Sequence, residues 1–384
     1  MKTVFLSDLH IGLNAPTNWY QKTFHQQYLK AILRYIASHG EEIQDVVMLG
    51  DWFDYWVYLP EGPVPGSLSE ILDANPEIFS PSADGDFITC MDSIQGELRF
   101  ITGNHDLMVY AKALNQRFRA LSQRGRQVVC RAIPQENMCY QSGGIYATHG
   151  HVFSLCCRAD NSKSNIYKPL PIGHYISRTW SGTYQERLGQ GETNAALLLN
   201  SGYPMFGVDP ISWSDILMAR GRKSTLAKMI LYTVIVLATK GQEAPEAYFY
   251  VMQDGTKINA VQAAEQFPEL SIKKNLPALM VDINRSLTRE GETLCKQGHK
   301  VVVLGHTHIP KIKLILYRKY FKIEAGIYIN TGFLSPSKAD LDQHKSNFTF
   351  AEVERKNGKY DVRLLRVDYP HTTISKLQEI SVPI

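Results

Sequence analysis

Five times along this chain a short apolar run stops at a residue type that binds metal. The segments are TVFLSDLH, with Asp8 and His10; VVMLGDWFD, with Asp51 and Asp54; LRFITGNHD, with Asn104, His105 and Asp106; IYATHGH, with His149 and His151; and VVVLGHTH, with His306 and His308. Each run is about four to five residues, rich in Val, Ile, Leu, Phe or Tyr, and predicts a buried strand. The polar clusters then fall at strand C-terminal ends, where open α/β sheets place their ligands. A chain so built must gather strands from roughly three hundred residues around one site.

Residue spacing suggests the ligand chemistry. In an extended segment residues i and i+2 face the same way, so Asp8 with His10, and His306 with His308, are each placed to grip one ion. Gly50 lets the chain turn and bring Asp51 close. Asp and Asn oxygens mixed with imidazole nitrogens suit borderline divalent ions such as Mn, Fe or Zn rather than an all-oxygen calcium cage. So many candidate ligands exceed one tetrahedral zinc. Two ions about 3.5–4 Å apart, bridged by one carboxylate, use them well and suit phosphoester hydrolysis.

The order D-x-H, G-D-x-x-D, G-N-H-D, G-H, G-H-x-H resembles the signature of calcineurin-like metallophosphoesterases, over residues 1–153 and roughly 298–353. The resemblance implies Asp8, His10 and His308 on one metal, Asn104, His149 and His306 on a second, and Asp51 bridging. It implies His105 as general acid or transition-state donor, oriented by Asp54. It also implies a four-layer α/β/β/α sandwich, with manganese the first choice of cation and iron or zinc the alternatives. Two cations lower the pKa of a bridging water, so that hydroxide is available near neutral pH. They also stabilise charge growing in the in-line transition state. Asp54 near His105 favours imidazolium, able to protonate the leaving oxygen.

Other polar residues carry plainer readings. His25, His39 and His174 read as structural histidines. Asp106 is placed to cap a helix over LMVYAKALNQRF. His151 stays open between supporting a ligand, touching substrate and merely following His149 in a loop. Trp52, Phe53, Tyr55, Trp56 and Tyr58 form an aromatic patch read mainly as packing, with one or two left to line a pocket.

The domain plan is a core interrupted twice. Residues 1–153 form its first part, carrying an insertion over 59–90 whose Pro-, Gly-, Ser- and Asp-rich stretch 61–86 reads as an irregular surface excursion around one short helix. Residues 154–297 read as a mostly helical cap, far longer than a crossover needs. Helical patterns appear in SWSDILMARGRKSTLAKMILYTVIVLATKG, INAVQAAEQF and PALMVDINRSLTREGETLCKQG. Lys163, Lys168, Arg178 and Arg187 are candidates for substrate phosphates. Residues 298–384 complete the core, with strands in LILYRKYF, GIYINTGFL, NFTFAEVE and DVRLLRVD.

With 384 residues, 44% of them hydrophobic, the chain can bury a large core. A net charge of +4, spread along the sequence, is too small to argue for nucleic acid. Six cysteines without zinc spacing, and no leader before the first strand, point to reduced thiols and a cytoplasmic protein. Met229–Ala238 falls far short of the roughly 20 residues of a membrane span. It reads first as a buried helix and otherwise as a lid helix meeting an acyl chain or a membrane surface, so peripheral membrane contact stays open.

The expected function is hydrolysis of a phosphomonoester, phosphodiester or pyrophosphate in a small-molecule or lipid-linked substrate. LGDWFDYW and the apolar cap are similar to the UDP-diacylglucosamine diphosphatase branch, which usually carries Arg where this chain has His105. A DNA-repair-type nuclease and a non-catalytic scaffold are the competing classes.

Overall fold

Strand β1 (Lys2–Leu6) sends Val4 and Leu6 to one face and Phe5 to the other, and all three are fully buried. Strands buried on both faces must be covered on both, and that requirement sets the architecture. In the computed structural model, residues 1–15, 17–58, 64–82, 84–107, 111–125, 128–129, 138–155, 157–158, 171, 173–174, 249–251, 257–259, 286–332, 348–368 and 370–384 are described.

β1, β2 (Ile43–Leu49), β3 (Leu98–Ile101) and β4 (Val128–Val129) run parallel, in that order. On the other side of β1 come antiparallel β12 (Phe348–Lys356), β13 (Lys359–Asp368) and β14 (Thr373–Pro383), giving seven strands. A five-stranded sheet has the order β10-β11-β9-β6-β5. It comprises β5 (Tyr140–Ser142), β6 (Ile145–Thr148), β9 (Val301–Leu304), β10 (Lys311–Lys319) and β11 (Lys322–Asn330). β6, β9 and β11 are parallel in it.

The inner faces of the two sheets share one core: Phe5, Val47, Leu49 and Ile101 meet Ile145, Ala147, Val301, Val303, Ile327 and Ile329. The outer face of the larger sheet, with Val4, Leu6, Val46 and Met48, is covered by helices. α1 (Lys22–Ser38) presents Tyr28, Leu29, Ile32 and Ile36 to it, an apolar stripe at helical spacing. Helix α5 (Ala111–Leu121) adds Leu114 and Phe118. On the opposite outside, α6 (Leu287–Lys296) packs Leu287, Leu294 and Cys295 onto Val302, Leu304 and Tyr328. The result is the four-layer α/β/β/α sandwich.

The stretch read as a surface excursion instead enters the core. α2 (Leu68–Ala74), α3 (Pro76–Phe79) and, just beyond it, α4 (Phe87–Ser93) follow one another, and Leu68, Ile71, Leu72, Ile78 and Phe79 are buried. The turn-forming residues lie at helix ends. Ser67 accepts from Glu70 N while Glu70 reaches back to Ser67 Oγ and Gly66 N, a capping box. Pro76 opens α3, and Asp86 caps α4 through Thr89 N at 2.8 Å.

Most of 154–297 lies outside the described residues, as do the helical reading around Met229–Ala238 and Lys163, Lys168, Arg178 and Arg187. Within it, Ile258 and Asn259, read as the start of a helix, belong to strand β8 (Lys257–Asn259), paired with β7 (Phe249–Val251). Among the described residues no helix is long and apolar enough to cross a membrane.

Candidate metal centre

Five strands, β1, β2 and β3 in one sheet and β6 and β9 in the other, deliver their following loops to one end of the sandwich. The backbone does not stay extended there. Asp8 (φ 59°), His10 (53°), Asp51 (52°), His306 (71°) and His308 (57°) are all left-handed. Such residues are uncommon outside glycine, with Asn, Asp and His the best tolerated. The extended geometry expected of the i, i+2 pairs is therefore absent. The turned backbone keeps Asp8 with His10 but separates His306 from His308, which enter different clusters.

Neighbouring loops hold this strained backbone in place. Asp8 N donates to Gly50 O (3.0 Å), His10 N to Asp51 O (2.9 Å), Asp54 N to Ile11 O (2.9 Å) and Gly305 N to His149 O (2.9 Å). Two motif glycines are required by close approach. A Cβ at Gly50, itself at φ 82°, would meet the His149 ring, and one at Gly103 would overlap the Asp51 carboxylate.

Among the described residues three buried groups could each hold a cation: Asp8, His10 and His308; Asp51, His149 and His306; and His10, Asp54 and His105. Two carboxylate oxygens lie between the first two, that of Asp51 the nearer. Asp51 Oδ2 lies 3.1 Å from His149 Nε2 and 3.9 Å from His10 Nε2. Asp8 Oδ1 lies 3.7 Å from His308 Nε2 and 3.9 Å from His149 Nε2. His10 Nε2, Asn104 Oδ1 and His149 Nε2 are buried with no hydrogen-bond partner among the described residues. Buried polar atoms are ordinarily satisfied, and convergent orphaned donor atoms of this kind fit a pair of divalent cations.

Supporting contacts aim the candidate ligands. His149 Nδ1 bonds Leu49 O at 2.9 Å, which makes it the protonated nitrogen and leaves Nε2 as the lone pair facing Asp51. His306 N donates to Asp8 Oδ1 (2.9 Å), Ser7 Oγ donates to Asp8 Oδ2, and His105 N donates to Asp51 Oδ1 (2.8 Å). Asn330 Nδ2 donates to Gly305 O at 2.7 Å, fixing the loop that carries His306.

The third group is of another kind. Asp54 Oδ1 takes His105 Nδ1 at 3.1 Å and the N–H groups of Trp56 (2.8 Å) and Val57 (2.9 Å). Its Oδ2 lies 3.5 Å from His10 Nδ1. Burial works against the charge on Asp54, but His105 and His10 outweigh it and hold Asp54 below the usual carboxylate range. Burial likewise opposes the imidazolium of His105, yet Asp51 and then Asp54 raise its pKa. The Trp56 ring stacks on His105 at 4.6 Å.

Asp106 is not the helix cap expected. Its Oδ1 accepts from Gly103 N (2.6 Å), and its Oδ2 from Trp52 N (3.0 Å) and Phe53 N (3.4 Å), so it clamps the Asp51 and Asn104 loops together. His151 is buried 5.5 Å from the His149 ring, outside all three groups. Burial and then His149 hold its pKa well below the ordinary value. His25 accepts from Gln21 N and His39 bonds Tyr35 O, both structural as expected, while His174 packs on Trp56. Trp19 escaped the sequence reading. Its ring lies 4.7 Å from His10 and 4.6 Å from His308, and a single Trp in a loop gives no periodic signal.

A family model described as calcineurin-like phosphoesterase matches residues 1–218. No curated protein matches the chain. Among solved structures, a Vps29 single mutant from Entamoeba histolytica is 9% identical, covering 99% of each chain with a TM-score of 0.31. Vps29 of Chaetomium thermophilum is 8% identical (100% of this chain, 97% of that one, TM-score 0.28). GAP50, the anchor in the inner membrane complex of Plasmodium, is 10% identical (100% and 89%, TM-score 0.34). Likenesses this distant carry nothing about chemistry.

Proposed function

Since the chain belongs to the calcineurin-like phosphoesterase family, whose model spans more than half of it, we propose that it hydrolyses a phosphomonoester, phosphodiester or pyrophosphate with two divalent cations, manganese first among them. The observation that carries the reading is the Asp51 carboxylate, one oxygen of which faces both buried His/Asp groups. Asp8, His10 and His308 would hold one cation, Asn104, His149 and His306 the other, with Asp51 shared. Bound there, such ions supply Lewis acidity toward phosphoryl oxygens and acidify water.

The remaining chemistry belongs to the protein. An ionised carboxylate only accepts hydrogen bonds, so the contact with Asp54 makes Nδ1 of His105 the donor. The raised pKa favours a second proton, on Nε2, where it is available to a leaving oxygen. Trp56 stacked on one face and Asp54 at Nδ1 fix the ring plane. Trp19 backs His10 and His308 and keeps water from their apolar side. A complete ligand set speaks against a non-catalytic scaffold.

The test is hydrolysis after chelation and manganese add-back, on a phosphomonoester, a phosphodiester, a nucleoside diphosphate sugar and single-stranded DNA. Metal-dependent turnover on one class is expected. In His105→Ala turnover should fall by about a hundredfold or more while two metals still bind. Two bound metals without turnover on any substrate would refute the reading, and unchanged turnover in His105→Ala would refute the role given to that residue.

A further inference from the structure

The hairpin β10–β11 carries the most exposed apolar side chains of the described residues, and nothing in the metal centre uses them. Phe321 is 95% exposed, Tyr320 86%, Ile323 79% and Leu316 65%. Register explains how they come to be there. Ile312 pairs with Ile329 and Leu314 with Ile327, within or beside the core between the sheets. The same face continues as Leu316 opposite Ala325 and Arg318 opposite Ile323. The inter-sheet apolar stripe thus runs out past the sandwich into water. At its end Lys319 pairs with Lys322 around a two-residue turn, Tyr320-Phe321.

That turn is built against local preference. Tyr320 has φ 53°, where two-residue hairpin turns favour Gly or Asn. Neither ring makes a ring contact or hydrogen bond among the described residues. Two large aromatics in a strained turn without an internal contact point to an external one.

The charge says what kind. Arg318, Lys319 and Lys322 surround the tip and form no ion pair among the described residues. Lys313 pairs with Glu292 and Lys300 with Glu324 farther back. A second copy of this chain would bring the same cations face to face. Nucleic acid would use the aromatics but not Leu316 and Ile323. The tip is convex, with apolar side chains at its end and cations just behind, so an occupant must be anionic at its surface, apolar beneath, and without shape demands of its own. An acidic lipid bilayer meets all three conditions.

We propose that the β10–β11 tip docks this protein on an anionic membrane surface, Tyr320, Phe321 and Ile323 entering the interface and Arg318, Lys319 and Lys322 meeting the headgroups. This is independent of the proposed hydrolysis. β10 runs away from the metal centre for nine residues, placing the tip roughly 30 Å toward the opposite pole. Docked this way, the strand ends bearing the ligands face away from the bilayer.

The experiment is co-sedimentation of the full chain with vesicles of phosphatidylcholine alone or mixed two to one with phosphatidylserine. Oligomeric state is measured in parallel without lipid. Wild type should pellet with the acidic vesicles and not with the neutral ones, and release at high salt. A Tyr320→Ser, Phe321→Ser double variant, and separately Lys319→Ser with Lys322→Ser, should each lose at least tenfold in partitioning. Because these side chains are exposed, both variants should keep wild-type metal binding, which serves as the control for folding. Absence of wild-type binding to acidic vesicles, or equal binding by the tip variant, overturns the proposal. So does self-association that the tip variant abolishes while lipid binding is unchanged, since the occupant is then a second copy.

Discussion

Replacing Asp106 with Ala removes the acceptor for three buried backbone N–H groups in two different loops. The bond from Phe53, at 3.4 Å, is weak, whereas those from Gly103 and Trp52, at 2.6 and 3.0 Å, are well formed. Each buried donor left unsatisfied costs about 1–3 kcal/mol. Two of them give roughly 2–6 kcal/mol, offset in part because burial and then Asp51 push the Asp106 carboxyl up to about 7, so that its ionisation near neutral pH itself costs stability. Against a typical domain stability of about 5–15 kcal/mol, the variant should fold but unfold at a clearly lower urea concentration. A second variant separates the clamp from a helix cap. Asn caps helices about as well as Asp, so a capping role predicts Asp106→Asn to be neutral. A clamp predicts a loss of roughly 1–3 kcal/mol, because the amide turns an N–H toward one of the donors. Urea unfolding of both variants, with and without manganese, reads this directly. A neutral Asp106→Asn, or an Asp106→Ala within about 0.5 kcal/mol of wild type, would sink the clamp.

Three further outcomes follow from the same geometry. Asp54→Asn should lower turnover by about 10²–10⁴ by loosening His105, and weaken metal binding about 10–100-fold because His10 loses its neighbour; kinetics with calorimetric metal titration should show both, and intact metal affinity would disprove the link to His10. Asp51→Asn should weaken binding of both cations, and loss of only one would contradict the shared carboxylate. In the metal-free protein burial lowers His149, but Asp51 and then Asp8 outweigh it and raise it to about 9 from an ordinary 6.5. The stability contributed by that proton is present in full below about pH 6.5 and fades as pH rises toward 9, on the order of 3 kcal/mol in all. Cation binding needs the same nitrogen unprotonated, so metal affinity should climb over the window in which chelated-protein stability falls. Urea midpoints of the chelated protein that stay flat from pH 6.5 to 9 would refute the assignment.

The sequence made the inner strands legible because their residues are buried on both faces: Val301–Leu304 is apolar at every position and reads as strand without alternation. β14 went unread because TISKLQEISVP lies at a sheet edge, mostly exposed, and carries no periodic signal. The helices between β2 and β3 were hidden by their own caps, since Ser67, Pro76 and Asp86 resemble loop residues until their partners are seen. In the site, the ligand residue types were visible but their backbone was not. Spacing alone pairs His306 with His308; the family resemblance separates them, and the left-handed turns at both are how the backbone does it. The clamp at Asp106 and the ring of Trp19 depend on contacts across more than the local chain, and short motifs cannot report those.

The left-handed backbone at Asp8, His10, Asp51, His306 and His308 also bears on how this chain can drift. At each of them glycine would relieve strain of about 1–2 kcal/mol, but in place of Asp8 or Asp51 it would leave His306 N or His105 N without an acceptor, at about 1–3 kcal/mol each. Valine or isoleucine would be barred by the same torsion angle. The two carboxylates therefore serve the fold as well as the site, whereas at His10, His306 and His308 the relief of strain is set against the cavity a lost buried ring would leave. A lineage that stopped using the site would therefore shed its carboxylates slowly, because the loops that carry them lean on the same side chains.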